Sequence, residues 1–381
     1  MSSCISTAAI CLIACHGGPA DHFATYAEAL TKQGHNVQIH ATGAALKKFQ
    51  DRSIEVKSPF SLDNLSQQEE DQLAQAIAKT CSTASIVLTD VGHAFDVKIQ
   101  HALSTNAAGV PCFAYYDNPE PFVPGGYSST AAEVIGIAQG ILFANKTLAD
   151  AKIYGAPGKE MDFTDKMRFG IGYYPVAQAE KIAEKRKIEH DSSRADFLKK
   201  NDLEDTGQKV LVYFGGNNQE YFSKAFPAFL SLMSGASAQM DLGNYVIVLQ
   251  QHPGAKVKNQ DVLQIENWLA TRCEHPTMPK VIVSDFSSDQ AQILADAALY
   301  YQTSMGPQFA LAGIPAIQTG HETYDDILVR NKLAPSAINI EGFIDALESL
   351  EKPKEIPKQD LLNSLGISED WQSALEHALN G

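Results

Sequence analysis

The sequence predicts an α/β protein of two Rossmann-like domains facing each other across a cleft. Three observations predict it. Short apolar runs alternate with helical patterns along most of the chain, the signature of βαβ units and a parallel sheet. The length, 381 residues, exceeds the roughly 250–300 at which one hydrophobic core stops growing. The alternation breaks once, in a charged stretch, and then restarts. The expected division is an N-terminal domain over 1–175, a charged linker over 176–208, a second domain over 209–350 and a helical tail over 351–381.

The elements follow in order. Ile5–Ala14 reads as a buried strand and Phe23–Lys32 as a helix ended by Gln33-Gly34. Asn36–His40 is a strand, Leu73–Thr80 a helix and Ala84–Leu88 a strand. Phe95–Thr105 is helical, Val110–Tyr115 extended, Ala131–Ile137 helical and Gly140–Phe143 extended. The segment AEKIAEKRKIEHDSSRADFLKKNDLEDTGQ holds almost no strand-forming run and reads as a solvated helix followed by a loop. Beyond it Lys209–Phe214, Tyr245–Gln250, Val281–Ser284, Ala297–Gln302 and Ala316–Thr319 are strands. Tyr221–Met233, Val262–Thr271, Gln290–Asp296, Gly306–Ala312, Tyr324–Asn331, Ile340–Leu350 and Asp360–Leu379 are helical.

Charge narrows the function. With 30 Lys+Arg against 45 Asp+Glu the net charge is −15, which argues against a nucleic-acid-binding surface. An anionic small ligand stays open, because backbone N–H groups bind phosphate without basic side chains. No window is long and apolar enough for a membrane span. Cys4–Cys15 has the apolar character of a signal core, and Leu12–Cys15 resembles a lipidation box, but no Lys or Arg precedes it. The six cysteines (4, 11, 15, 81, 112, 273) form no Cys-x-x-Cys pair and no metal spacing. Reduced structural thiols in a cytoplasmic protein are therefore expected. Phosphate-loop, nucleophile-elbow, zinc-protease and GxGxxG dinucleotide motifs are missing.

Strand-end loops carry the candidate chemistry, since ligands of open α/β sheets bind beyond the carboxyl ends of the strands. In Ala297–Thr319 a strand runs into Thr303, Ser304, Met305 and Gly306, with Pro307 set to open a helix. Amides near 304–308 would lie at the positive end of a helix dipole, suited to a diphosphate; Thr303 and Ser304 would otherwise serve as a plain helix cap. Gly215-Gly216-Asn217-Asn218 is a glycine-lined turn after a strand, and Gln250-Gln251-His252-Pro253-Gly254 another strand-end turn. Cys15–His22, Thr89–His93 and Tyr115–Phe122 hold the same position in the first half.

The block QAQILADAALYYQTSMGPQFALAGIPAIQTGHETYDDILVRN, ending at Asn331, resembles the nucleotide-sugar-binding segment of GT-B glycosyltransferases. The resemblance covers roughly 209–335 and reaches the first half only through loop positions. It implies a metal-independent glycosyltransferase with no cofactor, taking a nucleotide sugar as co-substrate. Gly215, Gly216, Asn217, Asn218, His252, Thr303, Ser304, Met305, Gly306, Gln308 and Glu322 would hold the donor. Gln308 stands where the family places a ribose-binding Glu. His22, or His16 as a rival, would be the base toward an acceptor hydroxyl, with Asp90 orienting the imidazole, binding the acceptor, or simply forming the turn. Asp117 and Glu120 would bind the acceptor. The alternatives are a non-hydrolysing UDP-N-acetylglucosamine 2-epimerase-like enzyme, and a non-catalytic nucleotide-sugar-binding protein on the same scaffold.

Overall fold

The structure, a computed structural model, describes residues 8–120, 126–151, 153–154, 161–252, 260–270, 277–284, 286–350 and 356–380. Pro253, Gly254, Phe122, Cys4 and Cys273 lie outside them. The chain divides into two compact units, one running to Tyr174 and resuming at Gly366, the other spanning Pro175–Leu365.

Unit 1 carries β1 (Ala9–Ala14), α1 (Gly17–Lys32), β2 (Asn36–Ala41), α2 (Gly43–Asp51), β3 (Ser58–Pro59), α3 (Gln67–Thr80), β4 (Ile86–Thr89), α4 (Ala94–Asn106), β5 (Cys112–Tyr116), α5 (Gly126–Ile137), β6 (Gly140–Phe143), the short antiparallel pair β7 (Ile153–Tyr154) and β8 (Met161–Asp162), and β9 (Met167–Gly170). Its main sheet has the order β3-β2-β1-β4-β5-β6-β9, and every pairing in it is parallel. β1 is an interior strand between β2 and β4, with Ile13 in register with His40 on one side and Thr89 on the other. Alternation sorts its side chains. Ile10, Leu12 and Ala14 pack against Phe23 and Tyr26 on one face. Cys11, Ile13 and Cys15 pack with Val87, Ile99 and Leu103 on the other. Both faces are covered, as parallel strands require, so β1 reads as a continuous apolar run.

Unit 2 carries α6 (Val176–Lys200), β10 (Lys209–Phe214), a π-helical turn (Tyr221–Ala225) leading into α7 (Phe226–Ser237), β11 (Tyr245–Gln250), α8 (Gln260–Ala270), β12 (Lys280–Ser284), α9 (Ser288–Leu294), β13 (Ala297–Tyr300), α10 (Gly306–Leu311), β14 (Ala316–Thr319), α11 (Ile327–Arg330), β15 (Ser336–Ala337), α12 (Ile340–Ser349) and α13 (Lys358–Ser364). Its parallel sheet has the order β12-β11-β10-β13-β14-β15. One face is filled by Tyr213, Phe226, Phe229, Leu249 and Phe343. Tyr213 and Phe229 stack with ring centroids 4.2 Å apart.

Two boundaries differ from expectation. The charged stretch forms α6, a single helix that buries Ala179, Ile182, Phe197 and Leu198 in unit 2. Arg186 of α6 donates to the carbonyls at the end of α9, including Ala295 O at 2.6 Å, and so satisfies acceptors that a helix end leaves open. Arg194 donates to Gln208 O at 2.7 Å. The expected C-terminal tail is also split: α14 (Trp371–Asn380) belongs to unit 1. There Leu375 and Ala378 join the core, Trp371 packs 4.9 Å from Tyr173, and Ser368 N donates to Gly172 O at 2.8 Å.

Candidate functional site

Both sheets share the order 3-2-1-4-5-6, to which unit 1 adds β9 as a seventh strand, and both reverse direction of growth between their first and fourth strands. Such a reversal leaves a crevice beyond the strand ends, the customary ligand site of open α/β sheets. In unit 1 it lies between β1 and β4, in unit 2 between β10 and β13.

The unit 1 reversal gathers titratable groups. Asp90 follows β4 and is fully buried. Its Oδ2 accepts from Cys15 N at 2.7 Å and His16 N at 2.9 Å, which ties the end of β4 to the start of α1. His16 Nδ1 faces the same oxygen at 3.7 Å, and the ring is 39% exposed above it. Asp96, in the first turn of α4, is buried beside Asp90, and its Oδ2 accepts from His93 N at 2.7 Å. His93 caps α4 by accepting from Phe95 N at 3.0 Å, and its ring lies 5.5 Å from that of His16.

The environments push like groups apart. Burial opposes the charge on Asp90, but a hydrogen bond from Asp96 and the nearby His16 hold it below the usual carboxylate range. Burial and the adjacent Asp90 charge drive Asp96 well above that range, so it keeps its proton. The Asp90 carboxylate facing its ring raises His16. Burial and the charge of His16 lower His93. Acid and base roles separate where neighbours titrate in opposite directions. A buried carboxylate behind a half-exposed imidazole is an arrangement for moving a proton.

His22 is placed otherwise. α1 begins at Gly17, not Phe23, because Pro19 fits a first helical turn. His22 therefore lies inside a helix. Its Nδ1 bonds Tyr115 Oη at 2.7 Å, the ring packs edge-on to Tyr173 at 4.8 Å, and burial drops its pKa to about 4. The imidazole set against Asp90 is that of His16. Asp117, after β5, comes so near α1 that a Cβ on Gly18 would lie 2.7 Å from its Oδ2. Glycine thus admits a carboxylate to the positive end of the helix. Glu120 is buried, with its backbone N–H donating to Asn118 Oδ1 at 3.0 Å. Sequence reading passed over His93 and Asp96. Their His-x-x-Asp spacing before an apolar run is a capping-box signal, and it also brings the second carboxyl to Asp90.

At the unit 2 reversal the loops after β10 and β13 present mainly neutral groups, with Asp261, Glu220 and Glu322 close by. Asn218 Oδ1 accepts from Tyr221 N at 2.7 Å, and Asn217, Asn218, Gln219, Phe222, Ser223 and Gln260 line a groove. Gly215 and Gly216 make room for protein: added Cβ atoms would meet Tyr221 Oη and the Tyr221 ring, each at 2.8 Å. Buried Asp261 lies against the same turn, and burial lifts its pKa to about 7. His252 is exposed at its strand end. α10 has only 6 residues, and Met305 N is taken by Thr303 Oγ1 at 3.1 Å, so fewer amides stand open there than the sequence suggests. Ser304 is exposed, Gly306 buried, and Gln308 Nε2 is a buried donor without a hydrogen-bond partner in the protein. Glu322 accepts from Tyr301 Oη at 3.3 Å and lies 3.5 Å from His321, which Glu220 approaches at 3.6 Å.

No protein-family model and no curated protein matches the chain. Solved structures do. The UDP-GlcNAc 2-epimerase of Methanocaldococcus jannaschii is similar with a TM-score of 0.65 at 14% identity, over 98% of this chain and 100% of that one. The Neisseria meningitidis UDP-GlcNAc 2-epimerase bound to UDP-GlcNAc gives 0.60 at 12%, over 98% and 100%. The N-terminal domain of Candida albicans trehalose-6-phosphate phosphatase gives 0.59 at 10%, over 100% and 98%. These likenesses establish the α/β two-domain, GT-B-like fold. They also correct one expectation. The structures sharing both units over nearly their whole length are mostly 2-epimerases rather than sugar-transferring enzymes, and the glycosyltransferase reading is overturned.

Proposed function

We propose that the chain acts on a nucleotide sugar and inverts a C–H centre of the sugar, with UDP-GlcNAc the first substrate to try. The observation that carries this reading is the His16–Asp90–Asp96 assembly at the unit 1 reversal. Inversion removes a proton from one face of the centre and returns one to the other, and His16 is assigned one of these two transfers. Asp90, ionised, accepts from the His16 backbone N–H and faces its Nδ1 at 3.7 Å, which leaves Nε2 to exchange a proton with the sugar. Asp96, protonated, stands beside Asp90 and leaves the pair with a single negative charge. The neutral loops of unit 2 are assigned to the nucleotide: Ser304 and the Gly306 amide to phosphate, Gln308 to a ribose hydroxyl. An unpartnered buried amide donor costs about 1–3 kcal/mol, which an accepting hydroxyl would recover. Two of the similar structures hold UDP-GlcNAc, and this supports the ligand class.

The test is incubation with UDP-GlcNAc in deuterated water. The expected outcome is a C2 epimer carrying deuterium. An unlabelled, unchanged sugar despite tight binding supports the second reading, a binding protein without turnover, which the neutral Gln308 favours. Neither binding nor exchange sinks both.

A further inference from the structure

The six cysteines look scattered in the sequence, but the fold joins two of them to a histidine. Cys11 lies on β1, His40 on β2 and Cys81 just beyond α3. Cys11 and His40 are diagonal neighbours on one face of the sheet, since Cys11 pairs with Gln38 and Ile13 with His40. The Cys11 and Cys81 sulfurs are 3.0 Å apart. One ligand atom from each of the three residues lies within 4.8 Å of the others. Each residue is only 1% exposed. His40 Nε2 meets Thr80 Oγ1 at 3.3 Å, while Nδ1 is buried with no hydrogen-bond partner in the protein.

We propose that Cys11, His40 and Cys81 form a closed binding site for a thiophilic d10 metal cation of the Zn²⁺ or Cu⁺ kind. A buried imidazole and two touching thiols in an apolar core are poor packing choices, and an ion that all three ligate accounts for them together. Two thiolates and an imidazole are the donor set that soft or borderline metals select. Three protein ligands satisfy Cu⁺. Zn²⁺ takes a fourth ligand, which the described residues do not supply from a further Cys, His or carboxylate. An ion about 2.3 Å from each sulfur holds them about 3.8 Å apart, so binding opens the present contact by less than an ångström. Burial argues against a peroxide-made disulfide, whose oxidant would have to reach the sulfurs. It does not hinder an ion, which such sites acquire as the chain folds. Ligation releases one proton from each thiol to solvent. The site lies four residues before Cys15 on β1, about 13 Å along the strand, so it braces the strand that presents His16 without entering the proton-transfer group.

The experiment refolds the full chain, under reductant, with Zn²⁺, Cu⁺ or Cd²⁺, then removes free metal. The expected result is one ion retained per chain, a thiolate-to-cadmium charge-transfer band, and a melting temperature that falls on chelation. Retention should drop at least tenfold in Cys11→Ser and Cys81→Ser, and stay at the wild-type level in Cys112→Ser. The ion that resists competition longest tells Zn²⁺ from Cu⁺. If the serine variants fail to fold, peptide-resolved alkylation of the wild-type chain decides: metal must shield Cys11 and Cys81, and a chelator must unshield them. No retained metal, retention unchanged in both serine variants, or a Cys11–Cys81 disulfide recovered in place of metal overturns the proposal.

Discussion

The two sheets share one strand order and place their reversals at equivalent loops, yet they furnish them in opposite ways. In unit 1 the loops after β1 and β4 hold His16, Asp90, His93 and Asp96, four titratable groups in mutual contact. In unit 2 the loops after β10 and β13 hold Asn217, Asn218, Thr303, Ser304 and Gln308, all uncharged. Topology thus fixes where a ligand meets the sheet, and loop residues decide what happens there. Under the proposed function, one reversal would move protons and the other would hold hydroxyls and phosphate oxygens.

That contrast can be broken most sharply at Asp90. Asp90→Asn keeps an oxygen for Cys15 N and His16 N but removes the charge behind the imidazole. Turnover of UDP-GlcNAc should fall about 10²–10⁴-fold, with UDP binding by calorimetry unchanged; weakened binding would place the nucleotide in unit 1. Next comes Asp261. Its folded pKa, about 7, stands above the unfolded 3.8, so its contribution to stability is full below pH 3.8 and is lost as pH rises to about 7. Asp261→Asn should remove that slope and gain about 3–4 kcal/mol at pH 8, at 1.36 kcal/mol per unit. Denaturant melts at pH 5 and pH 8 compare the two chains. A smaller effect is expected at Ser304. UDP at a hundred times its dissociation constant should stabilise the chain by about 2.7 kcal/mol, and Ser304→Asp should abolish the shift by setting a carboxylate against phosphate. The same shift in the variant would move the phosphate site elsewhere. The smallest concerns Gly216. Gly216→Ala should cost about 1–2 kcal/mol through its clash with Tyr221, while the UDP shift persists, because this glycine serves packing.

The strands were the legible part. Lys209–Phe214, Tyr245–Gln250, Gly140–Phe143 and Ala316–Thr319 have the expected bounds, since a strand buried on both faces is an unbroken apolar run with turn residues at its ends. The strand-end loops were legible too, including the one that holds Asp90. That the imidazole facing it is His16 rather than His22 was not, because Gly17-Gly18-Pro19 reads equally as a loop and as an early helical turn. Long-range assembly left no local trace. α6 is too polar to look like part of a domain until Arg186 is seen capping α9. Asp96 reads as a helix-start acid until its proximity to Asp90 is known. Cys11, His40 and Cys81 have no spacing that a metal motif would reveal.

The homing of α14 onto unit 1 sets an order on synthesis. A ribosome delivers β1 to β9 first and Trp371 near the end, so Tyr26 and Tyr173 wait uncovered while all of unit 2 is made. A nascent chain stalled before Gly366 should therefore recruit chaperones through those rings. A fragment ending at Tyr174 should regain its tertiary signal when peptide 366–380 is supplied separately.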